Sequence, residues 1–127
     1  MNKIQILDPF KDAKEIWLGL GEEGLRRKVF RLIDKDRVGA SQMVAGLTVF
    51  EPGERCAEHN HPGSEEINVA IRGGGIAYDR TAGTEMRFKQ NDWIFIPAGN
   101  AHVHYNDGNE PLWLLWCYAP PGFLPTR

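Results

Sequence analysis

Two short histidine pairs carry the strongest chemical signal in this sequence. Each pair has one residue between its members, and together they include all four histidines of the chain: His59, His61, His102 and His104. Side chains two residues apart on a β-strand point to the same face, so each pair would present two imidazoles side by side. Imidazole is a common ligand of zinc, copper, iron and nickel. The spacing therefore predicts a histidine-rich metal site.

A carboxylate is available next to the first pair. Glu65 and Glu66 follow His61 after a short turn, where the next predicted strand begins. A carboxylate ligand beside imidazoles extends the choice of metal to manganese. The sequence therefore contains the side chains for a site with several histidines and one acidic ligand.

The elements that position these side chains are predicted to be short β-strands. Helix-like spacing occurs only over residues 12–20, where glycines interrupt it, and residues 34–36 indicate a turn. Strands are expected at 27–33, 42–50, 57–61, 66–71, 75–79, 86–89, 93–96, 101–105 and 112–118. Many short strands with regular turn signals indicate an all-β sandwich or barrel.

Composition limits the possible partners. The 127 residues fit one domain, and a formal charge of −2 gives no reason to expect nucleic acid or an anionic membrane. The chain has neither an apolar run of membrane-spanning length nor a secretion signal, which makes the cytoplasm the default expectation. Cys56 and Cys117 lie far apart and form no CxxC pair. We expect two buried, reduced thiols, with Cys56 facing away from His59.

Two spaced motifs extend the histidine pattern. The first is Gly53-x5-His59-x-His61-x4-Glu66-x6-Gly73, and the second is Pro97-x-Gly99-x2-His102-x3-Asn106. Both resemble the motifs of the cupin superfamily. The resemblance implies a double-stranded β-helix, or jelly-roll barrel, with a short N-terminal segment. It implies a single cupin domain over residues 1–127, with the core barrel at about 26–118. It also implies one divalent metal ion per chain (iron, manganese, nickel, zinc or copper), with four ligands: His59, His61, Glu66 and His102.

One position departs from the second motif. The motif usually opens with a glycine six residues before the proline, and Asn91 stands there in this chain. Asparagine tolerates positive φ better than most residues, so we expect the turn to be kept.

Strand alternation decides which neighbours share the site. If Glu66 points into the barrel, then Asn68 and Ala70 do so as well and line the pocket. Ile67, Val69 and Ile71 then point outward; on the strand at 93–96, Ile94 and Ile96 face the interior, while Trp93 and Phe95 face away. Two apolar strips on the outer surface predict a homodimer, or cover by the N-terminal segment.

The predicted site has room for chemistry. Four protein ligands on a six-coordinate metal leave about two positions for substrate or water. His104 shares the face of His102 and is our candidate catalytic residue, either as a proton shuttle or as a partner that orients a ligand. A histidine packed against apolar neighbours is the equally weighted alternative.

Three functions fit this site. The first is a metal-dependent enzyme acting on a small, oxygen-rich substrate, by dioxygenase or by isomerase, lyase or decarboxylase chemistry. The second is a non-catalytic barrel that binds a sugar or a carboxylate. The third is a protein whose metal only stabilises the fold. The spare histidine and the open positions favour the enzyme.

Overall fold

The computed structural model describes residues 2–122, and nearly all of its regular structure is β-strand. The strands are β1 (Lys14–Leu18), β2 (Arg27–Ile33), β3 (Val44–Phe50), β4 (Glu65–Arg72), β5 (Gly75–Asp79), β6 (Thr84–Phe88), β7 (Trp93–Ile96), β8 (His102–Tyr105) and β9 (Leu112–Ala119). One short helix, α1 (Lys35–Val38), follows β2. No helix within residues 2–122 is long and apolar enough to cross a membrane.

The strands form two antiparallel sheets. The larger has the order β1-β2-β3-β9-β4-β7, and the smaller has the order β6-β5-β8. Strands distant in sequence lie side by side, because β9 is inserted between β3 and β4. The predicted all-β, double-stranded β-helix fold is confirmed.

Two segments differ from what the sequence predicts. Residues 14–18, where only interrupted helix-like spacing and no strand was identified, form β1, because pairing with β2 supplies their backbone hydrogen bonds. Residues 57–61 form no continuous strand and touch β8 only through an isolated bridge at His59. The predicted turn at 34–36 leads into α1, which Asp34 caps by accepting a hydrogen bond from the Arg37 amide at 2.7 Å.

The alternation predicted for β4 and β7 is confirmed. Ala70 is buried and Ile67 is exposed on β4. On β7, Ile96 is buried, while Trp93 is 74% exposed and Phe95 59% exposed. Ile67 pairs with Phe95 in the register of the two strands, so the exposed side chains form one apolar outer face.

Two positions show how backbone geometry supports this arrangement. Asn91 has φ of 72°, so the asparagine adopts the left-handed conformation expected at the glycine position of the motif. Gly46 on β3 lies opposite Trp116 on β9. A side chain at Gly46 would collide with the carbonyl oxygen of Phe30 and with the Trp116 ring. The glycine thus lets the indole lie flat on the inner side of the larger sheet.

Candidate metal site

A backbone bridge brings the two histidine motifs together. The amide of His102 donates to the carbonyl of His59 at 3.0 Å, and the amide of His59 donates to the carbonyl of His102 at 3.3 Å. Residues paired in this way in antiparallel strands project their side chains to the same face. The ring centroids of His59 and His102 are 4.4 Å apart, although the residues are 43 positions apart in sequence.

His61 and Glu66 enter from the turn that leads into β4. The carbonyl of His61 accepts hydrogen bonds from the amides of Ser64 and Gly99, each at 3.2 Å, which ties this turn to the segment before β8. Glu66 is the second residue of β4 and is 4% exposed, whereas Glu65 is exposed. The structure therefore turns Glu66 inward, as its spacing predicted.

Three imidazoles converge closely enough to hold one ion. One ring nitrogen from each of His59, His61 and His102 lies within 4.8 Å of the others. Glu66 lies beside this group, with its Oε1 3.4 Å from His61 Nε2 and 3.7 Å from His102 Nε2. The three histidines could bind a metal, and the carboxylate is placed to join them.

Hydrogen bonds orient two of the rings for ligation. His59 Nδ1–H donates to the carbonyl of Ala57 at 2.9 Å, and His102 Nδ1–H donates to the carbonyl of Asn100 at 2.9 Å. A ring that donates through Nδ1 carries its lone pair on Nε2. Metal-ligating histidines typically have such a partner on the second nitrogen, which fixes both tautomer and orientation.

The buried polar atoms of the site fit a cation. Asn68 is fully buried, and its Nδ2 donates to Glu66 Oε2 at 2.7 Å, which holds the carboxylate in place. Neither Glu66 Oε1 nor His102 Nε2 has a hydrogen-bond partner within residues 2–122. Buried polar atoms without partners are costly, and a shared metal ion would satisfy both. The donor set therefore fits a divalent ion.

Burial also sets the protonation of these groups. Desolvation is the main cause that lowers the pKa of His59 to about 3, and the neighbouring His102 lowers it further. Desolvation likewise lowers the pKa of His102. It raises the pKa of Glu66 to about 7, although the hydrogen bond from Asn68 opposes this shift. The imidazoles of His59 and His102 are therefore neutral and ready to ligate near neutral pH, while the carboxylate of Glu66 exchanges a proton there.

His104 lies behind the three converging rings. It is buried, its ring centroid is 5.5 Å from that of His102, and it lines the same cavity as Glu66. Desolvation is the largest cause that holds the pKa of His104 well below its usual value, so the ring is neutral. Its ring nitrogens are not part of the converging group, which agrees with a role beside the metal and not on it.

The prediction that Cys56 faces away from His59 is wrong. Both side chains line the same cavity, because residues 55–59 are held by isolated bridges and do not alternate as a strand would. The Sγ of Cys56 accepts a hydrogen bond from the amide of His104 at 3.1 Å, and burial raises the pKa of the thiol. The expectation of a reduced, buried thiol holds for Cys56, whereas Cys117 is only half-buried.

The cavity beside the histidines has an aromatic wall. The ring of Tyr118 stacks on His61 with a centroid distance of 4.2 Å, and Trp116 stacks on Tyr118 at 5.1 Å. Asn68 and these aromatic residues line the cavity, and Ala70 is buried in the adjoining apolar core. Ala70, which was predicted to line the pocket, is instead a fully buried core residue that packs in one cluster with Phe50 and Leu114 of the cavity wall.

Arg27 is a cavity residue that the sequence analysis missed. It is buried at the start of β2 and faces the same cavity as His59 and Glu66. Strand alternation could have identified Arg27, because this residue shares the inward face of β2 with the buried Val29. Arg72 and Arg87 lie elsewhere: Arg72 stacks over Trp113, and Arg87 pairs with Asp107 on the surface.

Comparison with known proteins gives one family. The family model described as a cupin domain matches residues 46–118, which include both histidine motifs, strands β4 to β8 and most of β3 and β9. That match lies within the core barrel predicted at residues 26–118.

Two curated relatives are at least 30% identical to this chain over the matched residues. The tetracenomycin polyketide synthase protein TcmJ of Streptomyces glaucescens is 30% identical over 89 residues, which cover 70% of this chain and 58% of TcmJ. A gentisate 1,2-dioxygenase of Ralstonia sp. is 34% identical over 115 residues, which cover 83% of this chain and 32% of the dioxygenase. The chain thus spans about half or less of the length of these relatives.

A solved structure shows the same architecture. A predicted oxalate decarboxylase from Thermotoga maritima superposes with a TM-score of 0.77 at 21% identity, covering 91% of this chain and 98% of that one. At this identity the likeness supports the fold alone.

Proposed function

We propose that this protein, which belongs to the cupin domain family, is a metal-dependent enzyme acting on a small, oxygen-rich molecule. The proposal is based on the convergence of its inward-facing histidines. The observation that carries this proposal is the convergence of His59, His61 and His102 within 4.8 Å beside the buried carboxylate of Glu66. One divalent ion per chain would be held by these four side chains.

Three features of the site support such a reaction. A bound divalent metal would polarise an oxygen of the substrate or activate dioxygen. The ring of Tyr118 stacks on His61 and so restricts the orientation of this proposed ligand. Asn68 holds the carboxylate of Glu66 by its 2.7 Å hydrogen bond, so the ligand geometry is preorganised.

His104 is placed to move a proton at one ring nitrogen. It is neutral and buried and lines the cavity, so it accepts a proton only transiently and returns it. Its backbone is fixed by Cys56, whose amide donates to the carbonyl of His104 at 3.1 Å. We propose His104 as the proton shuttle of the reaction.

The relatives support enzymatic over purely structural metal binding. One is named a gentisate 1,2-dioxygenase and another a polyketide synthase protein. We therefore place oxygen-dependent cleavage of a phenol or an enol first, with isomerase, lyase or decarboxylase chemistry as the branch to test beside it.

Metal content and oxygen consumption test this proposal together. We expect untagged protein, purified without chelators, to contain near one metal ion per chain by elemental analysis. For the oxygenase branch we expect the iron-loaded protein to consume oxygen with a phenolic acid such as gentisate, and the apoprotein not to. Turnover with manganese or zinc, independent of oxygen, would move the reaction to the isomerase or lyase branch. Absence of bound metal after reconstitution would contradict the proposed enzymatic function. Thermal stabilisation by a ligand without turnover of any substrate would also contradict it and would favour a binding protein.

We also propose that two copies pair through the apolar outer face of the larger sheet. This face contains Ile67, Trp93 and Phe95, which are exposed in the single chain. Strand pairing sets Ile67 beside Phe95 and Val69 beside Trp93, so the exposed side chains are contiguous. Contiguous apolar surface of this kind marks protein–protein contact.

A charge placed on this face should separate the copies. We expect the wild type to sediment at the mass of a dimer at micromolar concentration, and Trp93→Glu to weaken self-association by more than about tenfold, because a buried carboxylate without a partner is costly. Met86→Glu is the matched control, since Met86 is also an exposed, large apolar residue but lies on β6 in the smaller sheet. A monomeric wild type, or equal effects of both variants, would refute this interface.

A further inference from the structure

The outer face of the larger sheet is covered on one side and bare on the other. On the β2–β3 side, the paired residues Phe30 and Leu47 are buried. On the β4–β7 side, Ile67, Trp93 and Phe95 are exposed. The single chain therefore protects only part of an apolar surface that continues across the whole sheet.

A turn near the N-terminus contributes to the cover on the β2–β3 side. The ring of Phe10 packs edge-to-face against Phe30 and Trp113, with centroid distances of 5.1 and 5.3 Å. Asp8 closes this turn, because its carbonyl accepts a hydrogen bond from the Asp12 amide and its Oδ1 accepts one from the Phe10 amide, each at 2.8 Å. The turn is thus fixed on the outer face of the larger sheet.

Residues 2–7, the N-terminal arm, precede this turn and are much less engaged. They form neither helix nor strand. Within residues 2–122, one hydrogen bond attaches the arm to the rest of the chain, from Gln5 Nε2 to the carbonyl of Val38 at 3.3 Å. Ile4 is 93% exposed and Ile6 95% exposed. The arm therefore carries two large apolar side chains that the single chain leaves in water.

The arm has the residue pattern of a strand with one apolar side. Polar and apolar residues alternate from Lys3 to Ile6, and isoleucine is favoured in strands. In an extended chain, Ile4 and Ile6 would project to the same side. The backbone amides and carbonyls of the arm make no hydrogen bonds within the part of the chain that the structure describes. They are therefore available for pairing with another strand.

Strand β7 offers a matching edge. It is the last strand of the larger sheet, and within residues 2–122 it pairs with β4 alone. Its outward side chains, Trp93 and Phe95, are apolar and exposed. The other outer edges suit the arm less well, because Lys28 lies over the Trp17 ring on β1 and β6 presents mainly polar side chains. Adding a strand to β7 would pair the backbones of both segments and cover their apolar side chains.

The arm lies on the wrong side of its own sheet to reach β7. Val38, which holds Gln5, is the last residue of α1, directly after β2. The order β1-β2-β3-β9-β4-β7 places three strands between β2 and β7. Four strand spacings amount to about 19 Å. The edge of β7 therefore calls for an arm from another molecule.

We propose that the N-terminal arm of each copy lies along β7 of a second copy, with Ile4 and Ile6 packed against Trp93 and Phe95. The two copies thus exchange arms, and each arm covers the bare part of the other copy's outer face. This inference rests on the proposed pairing of two copies through that face, and it specifies the segment that makes the contact.

Substitutions within the arm test the exchange by sedimentation. We expect the double variant Ile4→Ser/Ile6→Ser to weaken self-association by about 100-fold or more, because two apolar side chains per copy leave the interface. Lys3→Ser/Gln5→Ser is the matched control, since it changes the intervening positions of the same arm and should weaken self-association by less than about fivefold. All four side chains are exposed in the single chain, so both variants should fold as the wild type does.

Disulfide cross-linking locates the arm directly. One chain carries Ile6→Cys and the other Phe95→Cys, and both carry Cys117→Ser because Cys117 is a free, half-buried thiol. After mixing and mild oxidation, we expect a disulfide between positions 6 and 95 of different chains, identified by mass spectrometry. Met86→Cys in place of Phe95→Cys is the control, because Met86 is exposed on the smaller sheet and should not link to the arm.

The possible failures are distinguishable. A monomeric wild type at micromolar concentration would overturn both the pairing of copies and the exchange of arms. A dimer that is equally stable in the two double variants would keep the pairing and overturn the exchange. In a chain carrying both Ile6→Cys and Phe95→Cys, a disulfide within one chain would also overturn the exchange, because the arm would then cover its own β7.

Discussion

His102→Ala is expected to abolish stoichiometric binding of a divalent metal, with a loss of affinity well beyond the roughly 10- to 100-fold typical of residues that only orient a ligand. His102 supplies one of the three converging imidazoles, and its Nδ1–H is anchored on the carbonyl of Asn100. Removing the ring therefore deletes a preorganised ligand. Elemental analysis and competition with a chromophoric chelator would measure the loss, and circular dichroism would check that the sheets persist.

His104→Ala is the matched control for this experiment. His104 lies two residues along the same strand and is equally buried, but its ring is outside the converging group. We expect this variant to keep near one metal per chain and to lose activity. If it loses metal as readily as His102→Ala, His104 is a ligand and the proposed proton shuttle is wrong.

Metal affinity is expected to fall by about tenfold per pH unit below pH 7. The metal needs the carboxylate form of Glu66, whose pKa burial raises to about 7, so below that pH each binding event must displace one proton. His59 contributes no comparable competition, because its pKa of about 3 keeps the ring neutral throughout this range. Titration of metal binding between pH 5 and pH 8 would therefore give a slope near one proton below pH 7, which flattens above it.

Glu66→Gln and Glu65→Gln separate the two neighbouring glutamates. We expect Glu66→Gln to weaken binding strongly and to remove the pH dependence, since glutamine has no proton to displace. Glu65 is exposed and should behave as the wild type when changed to glutamine. Equal effects at both positions would refute the register of β4, and a pH-independent wild type would refute Glu66 as a ligand.

The local features of this protein follow from its sequence because they depend on neighbouring residues. Strand alternation places Glu66 and Asn68 inward and Ile67 outward once one of them is oriented. The left-handed turn at Asn91 follows from the intrinsic tolerance of asparagine for positive φ. The paired histidines and their spacing from Glu66 likewise predict the acidic and imidazole side chains of one site.

The arrangement of distant segments was decided by the tertiary structure. Residues 14–18 become a strand only because β2 offers a partner edge, and Cys56 turns into the cavity because isolated bridges, not a regular strand, hold its segment. The approach of His59 to His102 depends on pairing across 43 residues of sequence. Arg27 enters the same cavity from β2, which β3 and β9 separate from β4 in the larger sheet. Such contacts depend on how the sheets close on each other, and short-range patterns of residue type do not encode that closure.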